Sequence, residues 1–362
     1  MKIIYSYNKR GWEAQLFQRE IGAASDSRHT FIPFNHDPYV EVSRYIRAQL
    51  LDNLYFDREP GLMRLYADVR AMIGDLGADA LLVDNCFPYH PEFLRTLSVF
   101  KVLRTTDGPI SAYDRDFAYV HAYDQVLYHS PAYSRDLDMG EKLHYVGARE
   151  ARFWPLGLFD EMFDHSKNEA NILEHTRDTD LIFIGALHRN KLPVLAQVKK
   201  AFGSRCLMRG LASWKVNAYY NAKYGWPGWV RRAAFEEYVT LYQRAKIGFN
   251  VYNRGDDTVG NYRMFELPAN GVMQVSSGGR SLDMFFKTGE EIVVYQSAND
   301  LVDKIFYYLE HEAERNAIAR AGFRRVMRDH RMRQRLHQAA DMIEDGIRRK
   351  TGRLSGALAT DA

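Results

Sequence analysis

Cysteine is scarce in this chain of 362 residues, and long apolar runs are missing altogether. Cys86 and Cys206, the only two cysteines, lie in short apolar stretches typical of buried strands. Free buried thiols fit this pattern better than a disulfide does, and they are typical of a reducing cytoplasm. The apolar N-terminal stretch is too short for a signal peptide, and no run of about 18 apolar residues predicts a membrane span. We therefore expect a cytoplasmic protein.

The chain also lacks a strong net charge and any histidine pattern typical of metal ligands. Its 49 basic and 46 acidic residues leave a net charge of +3, which predicts no nucleic-acid partner. The twelve histidines show no ligand spacing. Three Asp-x-Asp triplets, at 114–116, 136–138 and 178–180, follow no clear nucleotide-binding strand, so we interpret them as solvated turns and helix caps. The sequence thus predicts no metal and no cofactor.

Short apolar runs do alternate with longer amphipathic ones, as in parallel sheets with crossover helices. The predicted strands are Ile3–Tyr7, Thr30–Phe34, Ala80–Asp84, Lys101–Arg104, Gln125–Tyr128, Leu143–Val146, Leu181–Ile184, Arg205–Met208, Ile247–Val251, Val272–Val275 and Glu291–Val294. The predicted helices include Glu41–Phe56, Leu62–Leu76, Lys191–Ala201, Ala233–Lys246 and Asn261–Ala269. A polar passage at about 155–180 interrupts the alternation and indicates a domain junction.

This organisation predicts an α/β protein of two doubly wound, Rossmann-like domains that face a cleft. We place the first domain at 1–165 and the second at 166–330. A helix at 331–350 is expected to cross back to the first domain, and the tail at 351–362 is expected to be disordered.

The strongest candidate site lies in the second half. After the strand DLIFI comes Gly185, where backbone can approach a ligand, then a loop with Arg189 and Lys191 and the start of a helix. Unpaired N–H groups at a helix start attract anions, so this loop is a candidate diphosphate site. A basic surface loop without a ligand is the alternative.

A second candidate motif is VGNYRMFELPANG. Asn261 and Tyr262 lead into a helix in which Arg263 and Glu266 share one face. We consider two interpretations, a simple intrahelical ion pair or a donor site in which Arg263 meets phosphate and the Glu266 carboxylate binds the ribose diol.

The order of these motifs resembles a known family. Four segments resemble the C-terminal half of CgeB-like glycosyltransferases, which are relatives of glycosyltransferase family 4. They are FIG with its basic loop, the strand KIGFN, the segment YRMFELPANGVMQVS, and the block from TGEEIVVY to His330. The resemblance covers about residues 180–335 and is most specific at 262–330. It implies a GT-B fold, a nucleotide-sugar donor and retention of anomeric configuration, and the missing metal-ligand spacing adds the expectation of a metal-independent reaction.

Carried over to this sequence, the resemblance gives Lys191 the role of the family's phosphate-binding lysine. Ala186 stands where the family has an arginine, and Arg189 is the candidate to replace it. Glu266 matches the ribose-binding glutamate, whereas Thr258 replaces the first glutamate of the family's E-x7-E pattern. We therefore assign Arg189 and Lys191 as catalytic, and Gly185, Asn261, Tyr262, Arg263 and Glu266 as donor-binding.

The first half contains weaker signals. Gly11 and Trp12 after the first strand, and Asp107 after the fourth, are candidate acceptor-binding residues, with helix packing and turn formation as their alternatives. Asp84 is a similar candidate. The basic run at 324–337 is interpreted as a solvated helix face, with attraction to anionic lipid near a lipid-linked acceptor as the second interpretation.

Other functions remain open at this stage. A sugar-nucleotide epimerase of the same fold would use the same diphosphate contacts, and a non-catalytic protein that binds nucleotide sugars or glycans would keep the fold. A nucleic-acid binder is the weakest alternative, because the charge is nearly balanced.

Overall fold

The computed structural model describes residues 1–84, 88–105, 117–133, 136–164, 166–210, 213–225, 229–252, 261–279 and 281–360, with side chains to residue 352 except that of Tyr224. These residues form two compact units. The first unit contains Met1–Leu156 and Met332–Ala362, and the second contains Gly157–Arg331. The junction therefore lies at 156/157, before the boundary at 165/166 that the sequence predicted. The reason is that the segment Gly157–Met162 forms hydrogen bonds within the second unit, for example from Leu158 N–H to His330 O.

The first unit is a parallel sheet with helices. Its strands are β1 (Lys2–Tyr7), β2 (Thr30–Asn35), β3 (Ala80–Asp84), β4 (Phe100–Thr105), β5 (Gln125–Tyr128) and β6 (Ala151–Phe153). In the described residues they pair in the order β2-β1-β3-β4-β5-β6, all parallel. The helices are α1 (Gly11–Ala23), α2 (Ala48–Phe56), α3 (Pro60–Leu76), α4 (Pro91–Arg95), α5 (Met139–Tyr145) and α13 (Met332–Thr360).

Local sequence explains these elements. Every residue of β3, ALLVD, is buried, which is typical of a parallel strand covered on both faces. Helix α3 begins where the Glu59 carboxylate accepts from Leu62 N–H at 2.7 Å and ends at Gly77, whose φ of 57° suits glycine.

The last helix, α13, packs on the first unit. Its buried side contains Leu336, Ala339, Ala340 and Ile343, and Trp154 Nε1 donates to Arg335 O at 2.5 Å. The helix runs to Thr360, beyond Lys350, so the structure has helix where the sequence predicted a disordered tail. Leucine and alanine in LSGALAT favour a helix at this position.

The second unit repeats the same architecture. Its strands are β7 (Thr179–Ile184), β8 (Cys206–Arg209), β9 (Ala245–Asn250), β10 (Met273–Ser277) and β11 (Val293–Tyr295), parallel in the order β11-β10-β9-β7-β8. The helices are α6 (Glu169–Leu173), α7 (Leu192–Phe202), α8 (Trp214–Tyr224), α9 (Tyr238–Gln243), α10 (Arg263–Ala269), α11 (Ala298–Glu310) and α12 (Glu312–Asp329). The predicted fold class, two parallel α/β units, is confirmed.

Several predicted elements differ from the structure. Leu143–Val146, predicted as a strand, forms the last turn of helix α5 and the residue after it. The buried side of this helix is formed by Met139 and Leu143, one turn apart. The predicted helix Ala233–Lys246 is limited to Phe235–Gln243 as a short 3-10 turn followed by α9, since Ala245 and Lys246 start β9. Strand β6, of three residues, and helix α8 were not predicted.

Within the described residues no helix is long and apolar enough to cross a membrane. Cys206 is a buried free thiol, and burial raises its pKa to about 12, as expected for a packing residue. Cys86 lies outside the described residues.

Candidate functional site

The second sheet reverses its strand order between β7 and β9. From β7 the chain crosses over to β8 on one side, and from β9 it crosses over to β10 on the other. In open parallel sheets, ligands bind beyond the carboxyl ends of the strands at such a switch point. Here those ends are Ile184 and Asn250, and Gly185 follows directly after β7.

The Arg263 side chain bridges these two strand ends. Its Nε donates to Ile184 O, its Nη1 donates to Asn250 Oδ1 at 2.9 Å, and its guanidinium lies 4.8 Å from the centre of the Phe183 ring. A Cβ at Gly185 would lie 1.9 Å from Arg263 Nη2. The glycine therefore provides the space that the guanidinium fills, a role that the sequence alone did not indicate.

Lys191 lies next to this arginine at the start of α7. The side chain is buried, and burial followed by repulsion from Arg263 lowers its pKa to about 7. Within the described residues neither cation forms an ion pair with a carboxylate. Two adjacent basic side chains that no carboxylate contacts directly, beside the start of an eleven-residue helix that has no side-chain cap, form a site suited to an anion.

Glu266 lies one turn further along α10. The residue is 8% exposed, and its carboxyl Oε2 accepts from Tyr242 Oη–H at 3.0 Å. Burial raises the pKa of Glu266 to about 7, although the positive charge of Arg263 and the bond from Tyr242 both lower it. Arg263 donates to β7 and β9 rather than to Glu266, so the simple intrahelical ion pair is not what the structure contains.

Asn261 and Tyr262 hold the start of α10. Asn261 Oδ1 accepts from Met264 N–H at 3.0 Å, and the side-chain amides of Asn261 and Asn250 exchange hydrogen bonds of 2.9 and 3.1 Å. The Tyr262 ring lies 5.3 Å from that of Phe159. Helix α10 has only seven residues and begins at Arg263, two residues later than predicted. Asn261 thus orients Asn250, which in turn orients Arg263.

The structure brings together five predicted donor-site residues with Lys191, but it separates Arg189 from them. Arg189 is exposed and interacts with the Tyr219 hydroxyl, while Lys191 points into the buried side of the loop. Sequence reasoning missed Asn250 and Tyr242. An asparagine that ends the apolar strand AKIGFN was a usable signal for Asn250, whereas Tyr242 has none in its local sequence.

The candidate acceptor residues belong to the first unit. Gly11 begins α1 with a φ of 53°, and Trp12 is half-buried in the first turn. The preceding loop is tied to β2, because Lys9 N–H donates to Asn35 Oδ1 at 3.2 Å and Asn35 Nδ2 donates back to Lys9 O at 2.9 Å. Asp107 lies outside the described residues.

Asp84 of β3 is buried beside Arg104, at 3.5 Å between Oδ2 and Nη1. An ion-paired carboxylate of this kind is a structural component of the sheet as well as a candidate for acceptor binding.

The Asp-x-Asp triplets differ from a metal motif where they are described. Asp178 pairs with Arg244, and Asp180 pairs with Arg205 and Lys246 at the amino end of β7, opposite to the switch point. Asp138 precedes α5, and the triplet at 114–116 lies outside the described residues.

One group of three side chains that could together hold a metal ion occurs elsewhere in the described residues. His29, Asp341 and Glu344 lie together in the first unit, but Arg28 Nη2 already donates to both carboxylates, at 2.9 and 3.3 Å.

The basic run at 324–337 is largely paired. Carboxylates contact Arg324, Arg325, Arg328 and Arg331, whereas Arg333 and Arg335 donate to backbone carbonyls. This arrangement agrees with an ion-paired helix face and gives no support to lipid binding by these residues.

Comparison with known proteins places the fold. Residues 193–341 match a family described as glycosyl transferase-like. Sucrose-phosphate synthase from Thermosynechococcus elongatus superposes with a TM-score of 0.60 at 13% identity, over 95% of this chain and 98% of that one. The fold is GT-B. Anabaena HepE in complex with UDP-glucose gives a TM-score of 0.62 at 9% identity, over 95% and 100%.

GT-B relatives include more than transferases. A Listeria monocytogenes protein assigned as a UDP-N-acetylglucosamine 2-epimerase superposes with a TM-score of 0.52 at 14% identity, over 88% of this chain and 91% of that one. Comparison with curated protein sequences gave no significant match. The GT-B likeness thus describes the fold, and the site must decide the activity.

Proposed function

We propose that this protein is a glycosyltransferase that takes a sugar from a nucleoside diphosphate at the switch point of its second unit. The observation that carries the proposal is the pair of adjacent basic side chains, Lys191 and Arg263, which no carboxylate contacts directly within the described residues, beside the start of α7. The match to a glycosyl transferase-like family over 193–341 supports it, because the matched segment contains Arg263 and begins two residues after Lys191.

The chemistry follows from where charge develops. Cleavage of the sugar–phosphate bond leaves negative charge on the departing diphosphate, and preformed donors near that charge stabilise the transition state. Lys191, Arg263 and the N–H groups of α7 are such donors. Asn250 and Asn261 fix the guanidinium before the substrate arrives, which lowers the reorganisation that the reaction requires.

The remainder of the donor would lie toward Glu266. An ionised carboxylate can accept two hydrogen bonds from a vicinal diol, so Glu266 is proposed to bind the ribose. Gly185, Asn261 and Tyr262 support the same site, and Arg189 is proposed to reach the diphosphate from the exposed side of the loop.

The proposal also covers the nucleotide, the sugar, the metal requirement and the acceptor. HepE in complex with UDP-glucose supports UDP as the nucleotide and a hexose as the sugar. The reaction is proposed to need no metal, because the sequence has no metal-ligand spacing, and to retain the anomeric configuration, by resemblance to CgeB-like transferases. Gly11, Trp12 and Asp107 are proposed to contact a glycan or lipid-linked acceptor in polysaccharide biosynthesis, at the cytoplasmic side of a membrane with which the protein associates peripherally.

Nucleotide binding is the first prediction. UDP and UDP-glucose should raise Tm, whereas GDP, dTDP, CDP and ADP should not. A ligand at about 100 times its Kd adds ~2.7 kcal/mol, which corresponds to roughly 5–10 °C for a unit of this size. Thermal-shift assays of the wild type, of Glu266→Ala and of the exposed control Glu290→Ala measure this effect.

The control should respond as the wild type does, and Glu266→Ala should lose most of the shift. Absence of a shift with every nucleotide would contradict the transferase proposal and leave only the fold. Incubation with the donor alone separates an epimerase, which releases an altered sugar nucleotide, from a transferase, which needs an acceptor.

The pH dependence is the second prediction. Lys191, with its pKa lowered to about 7, loses its charge as pH rises and then binds diphosphate less well. Glu266, with its pKa raised to about 7, loses its charge as pH falls and then binds the diol less well. The pH profile of kcat/KM for the donor should therefore be bell-shaped, with both its acidic and its alkaline limb near pH 7.

UDP-glucose is the suitable ligand, because its bridging diphosphate keeps a constant charge across this range. Lys191→Arg should remove the alkaline limb, since guanidinium stays protonated, and Glu266→Gln should remove the acidic limb. His188 lies near Lys191, and burial followed by repulsion from Lys191 lowers its pKa, so His188→Gln is the variant that separates its titration from that of Lys191. A flat profile between about pH 6 and pH 8, on the order of one unit either side of these limbs, would contradict both assignments.

A further inference from the structure

The surface around α8 carries exposed aromatic side chains next to basic ones. Trp214 and Tyr219 on α8 are 67% and 44% exposed, and Trp229, in the segment that follows, is 59% exposed. Lys215 and Lys223 alternate with them on the exposed side of the helix. We call these five residues the aromatic–basic surface.

This surface is held rigidly by the opposite side of α8. The Asn217 side chain is buried, accepts from Val230 N–H at 3.0 Å and donates to Val230 O at 3.4 Å, which fixes Trp229 beside the helix. Buried Tyr220 donates from Oη to Leu187 O at 3.2 Å. Helix α8 is therefore held in place by its buried face, and the exposed rings lie on the opposite face.

The charge of this region is one-sided. The 55 residues from Leu181 to Phe235 contain ten lysines and arginines and no aspartate or glutamate, in a chain with 46 acidic residues. Lys215, Arg231 and Arg232 are exposed and form no ion pair within the described residues. Such a surface is complementary to a polyanion or to a surface with anionic headgroups.

The aromatic geometry favours a lipid surface over a nucleic acid. Lys223 Nζ lies 5.4 Å from the centre of the Tyr219 ring, and Lys215 Nζ lies 5.8 Å from that of Trp214. Lys223 Nζ also donates to the Tyr219 hydroxyl at 3.0 Å, so this ammonium lies at the polar end of the ring and leaves the apolar faces of the ring uncovered. Amphipathic tryptophan and tyrosine with lysines at their polar ends are typical of membrane interfaces, where rings enter the headgroup region and the amines reach phosphate.

We propose that the aromatic–basic surface docks the second unit onto an anionic lipid bilayer. The inference rests on the proposed membrane association but not on the proposed transfer reaction, because vesicle binding is measured without donor. Docking would also bring the donor loop to the membrane, since Tyr220 contacts Leu187 and Tyr219 interacts with Arg189. A transferase arranged in this way would deliver its sugar to acceptors at the lipid surface.

Vesicle sedimentation with the full chain tests the proposal. Phosphatidylcholine vesicles that contain phosphatidylglycerol should bind the protein, phosphatidylcholine alone should bind it weakly, and salt should reduce the binding. Lys215→Gln and Arg232→Gln should each weaken binding about fivefold. Trp214→Ala and Trp229→Ala should each weaken it about tenfold or more.

Matched controls lie in other parts of the chain. Phe56→Ala and Tyr145→Ala remove aromatic rings that are 70% and 84% exposed, and Lys287→Gln removes an exposed charge. These variants should bind vesicles as the wild type does. All substituted positions are exposed, so Tm should stay near that of the wild type.

Two results would overturn the inference. One is binding to anionic vesicles that the three variants of the aromatic–basic surface and the Arg232→Gln variant beside it all leave unchanged. The other is binding of a single-stranded RNA oligonucleotide without binding of anionic vesicles, which would assign the surface to nucleic acid. UDP-dependent stabilisation, measured in the same preparations, reports on the donor site separately.

Discussion

Lys191→Met should abolish most donor turnover and at the same time make the folded protein more stable. Lys191 places an ammonium in a buried position beside Arg263, and this environment lowers its pKa from 10.5 to about 7. The pKa shift measures an unfavourable free energy of keeping the charge in the folded state. Methionine has a similar shape without the charge, so it removes that cost along with the phosphate contact.

The sign of the stability effect depends on pH. Below about pH 7 the folded protein holds the charged form at full cost, and above the unfolded pKa of 10.5 both states are neutral. The advantage of Lys191→Met should therefore be largest below pH 7 and decline between pH 7 and 10.5. Donor kcat/KM should fall about 10²–10³-fold, as for loss of one preorganised donor to developing charge.

Denaturant unfolding and donor kinetics of Lys191→Met measure both effects. Lys200→Met is the matched control, because Lys200 lies on the same helix with its side chain exposed. It should leave turnover and stability close to the wild type. Wild-type turnover in Lys191→Met, or a lower stability at pH 7, would show that this lysine is an ordinary buried residue with unrecognised partners.

The sequence was sufficient for the parts of the site that are encoded locally. The glycine after β7, the lysine at the start of α7 and the Arg263–Glu266 spacing each lie within one short segment, and all were identified. The bond from Arg263 to Asn250 joins two elements, and the fit of the guanidinium over Gly185 joins two others. Contacts of this kind depend on tertiary packing, for which periodicity carries no signal.

The fold shows the same division. Strands with continuous apolar runs, such as Ala80–Asp84, were predicted with their bounds, because burial on both faces leaves a clear pattern. Helix α8 was missed because its sequence WKVNAYYNAKY exposes aromatic rings and has no apolar side at helical spacing. Leu143 was assigned to a strand because a run of four residues cannot distinguish strand from helix.

Gly185→Ala should leave the protein folded and remove most donor binding. The added Cβ would lie 1.9 Å from Nη2 and 2.9 Å from Cζ of Arg263, so the guanidinium must leave its position between β7 and β9. Gly185 has no left-handed φ, and the displaced atoms belong to a flexible side chain, so the cost in folding free energy is small. The affinity for UDP should fall about 10²-fold or more, because the fixed guanidinium is lost.

Glycine-to-alanine controls are available within helices. A Cβ at Gly22 or Gly74 meets nothing within 4 Å, so Gly22→Ala and Gly74→Ala should bind UDP normally and be slightly more stable. Calorimetric titration of UDP and thermal unfolding measure the two quantities. Normal UDP affinity in Gly185→Ala would mean that the position of Arg263 does not determine donor binding.

A double-mutant cycle tests whether Gly185 acts on UDP binding through Arg263. If Gly185 acts by giving Arg263 its space, then Gly185→Ala should cost little further affinity once Arg263→Ala has removed the side chain. The cost of the double variant should therefore equal that of Arg263→Ala alone, and the coupling free energy should be about as large as the effect of Gly185→Ala by itself. Additive losses of UDP affinity would instead indicate that the Gly185 backbone contacts the nucleotide directly. In that case the alanine Cβ would keep the phosphate away from the backbone whether or not the arginine is present.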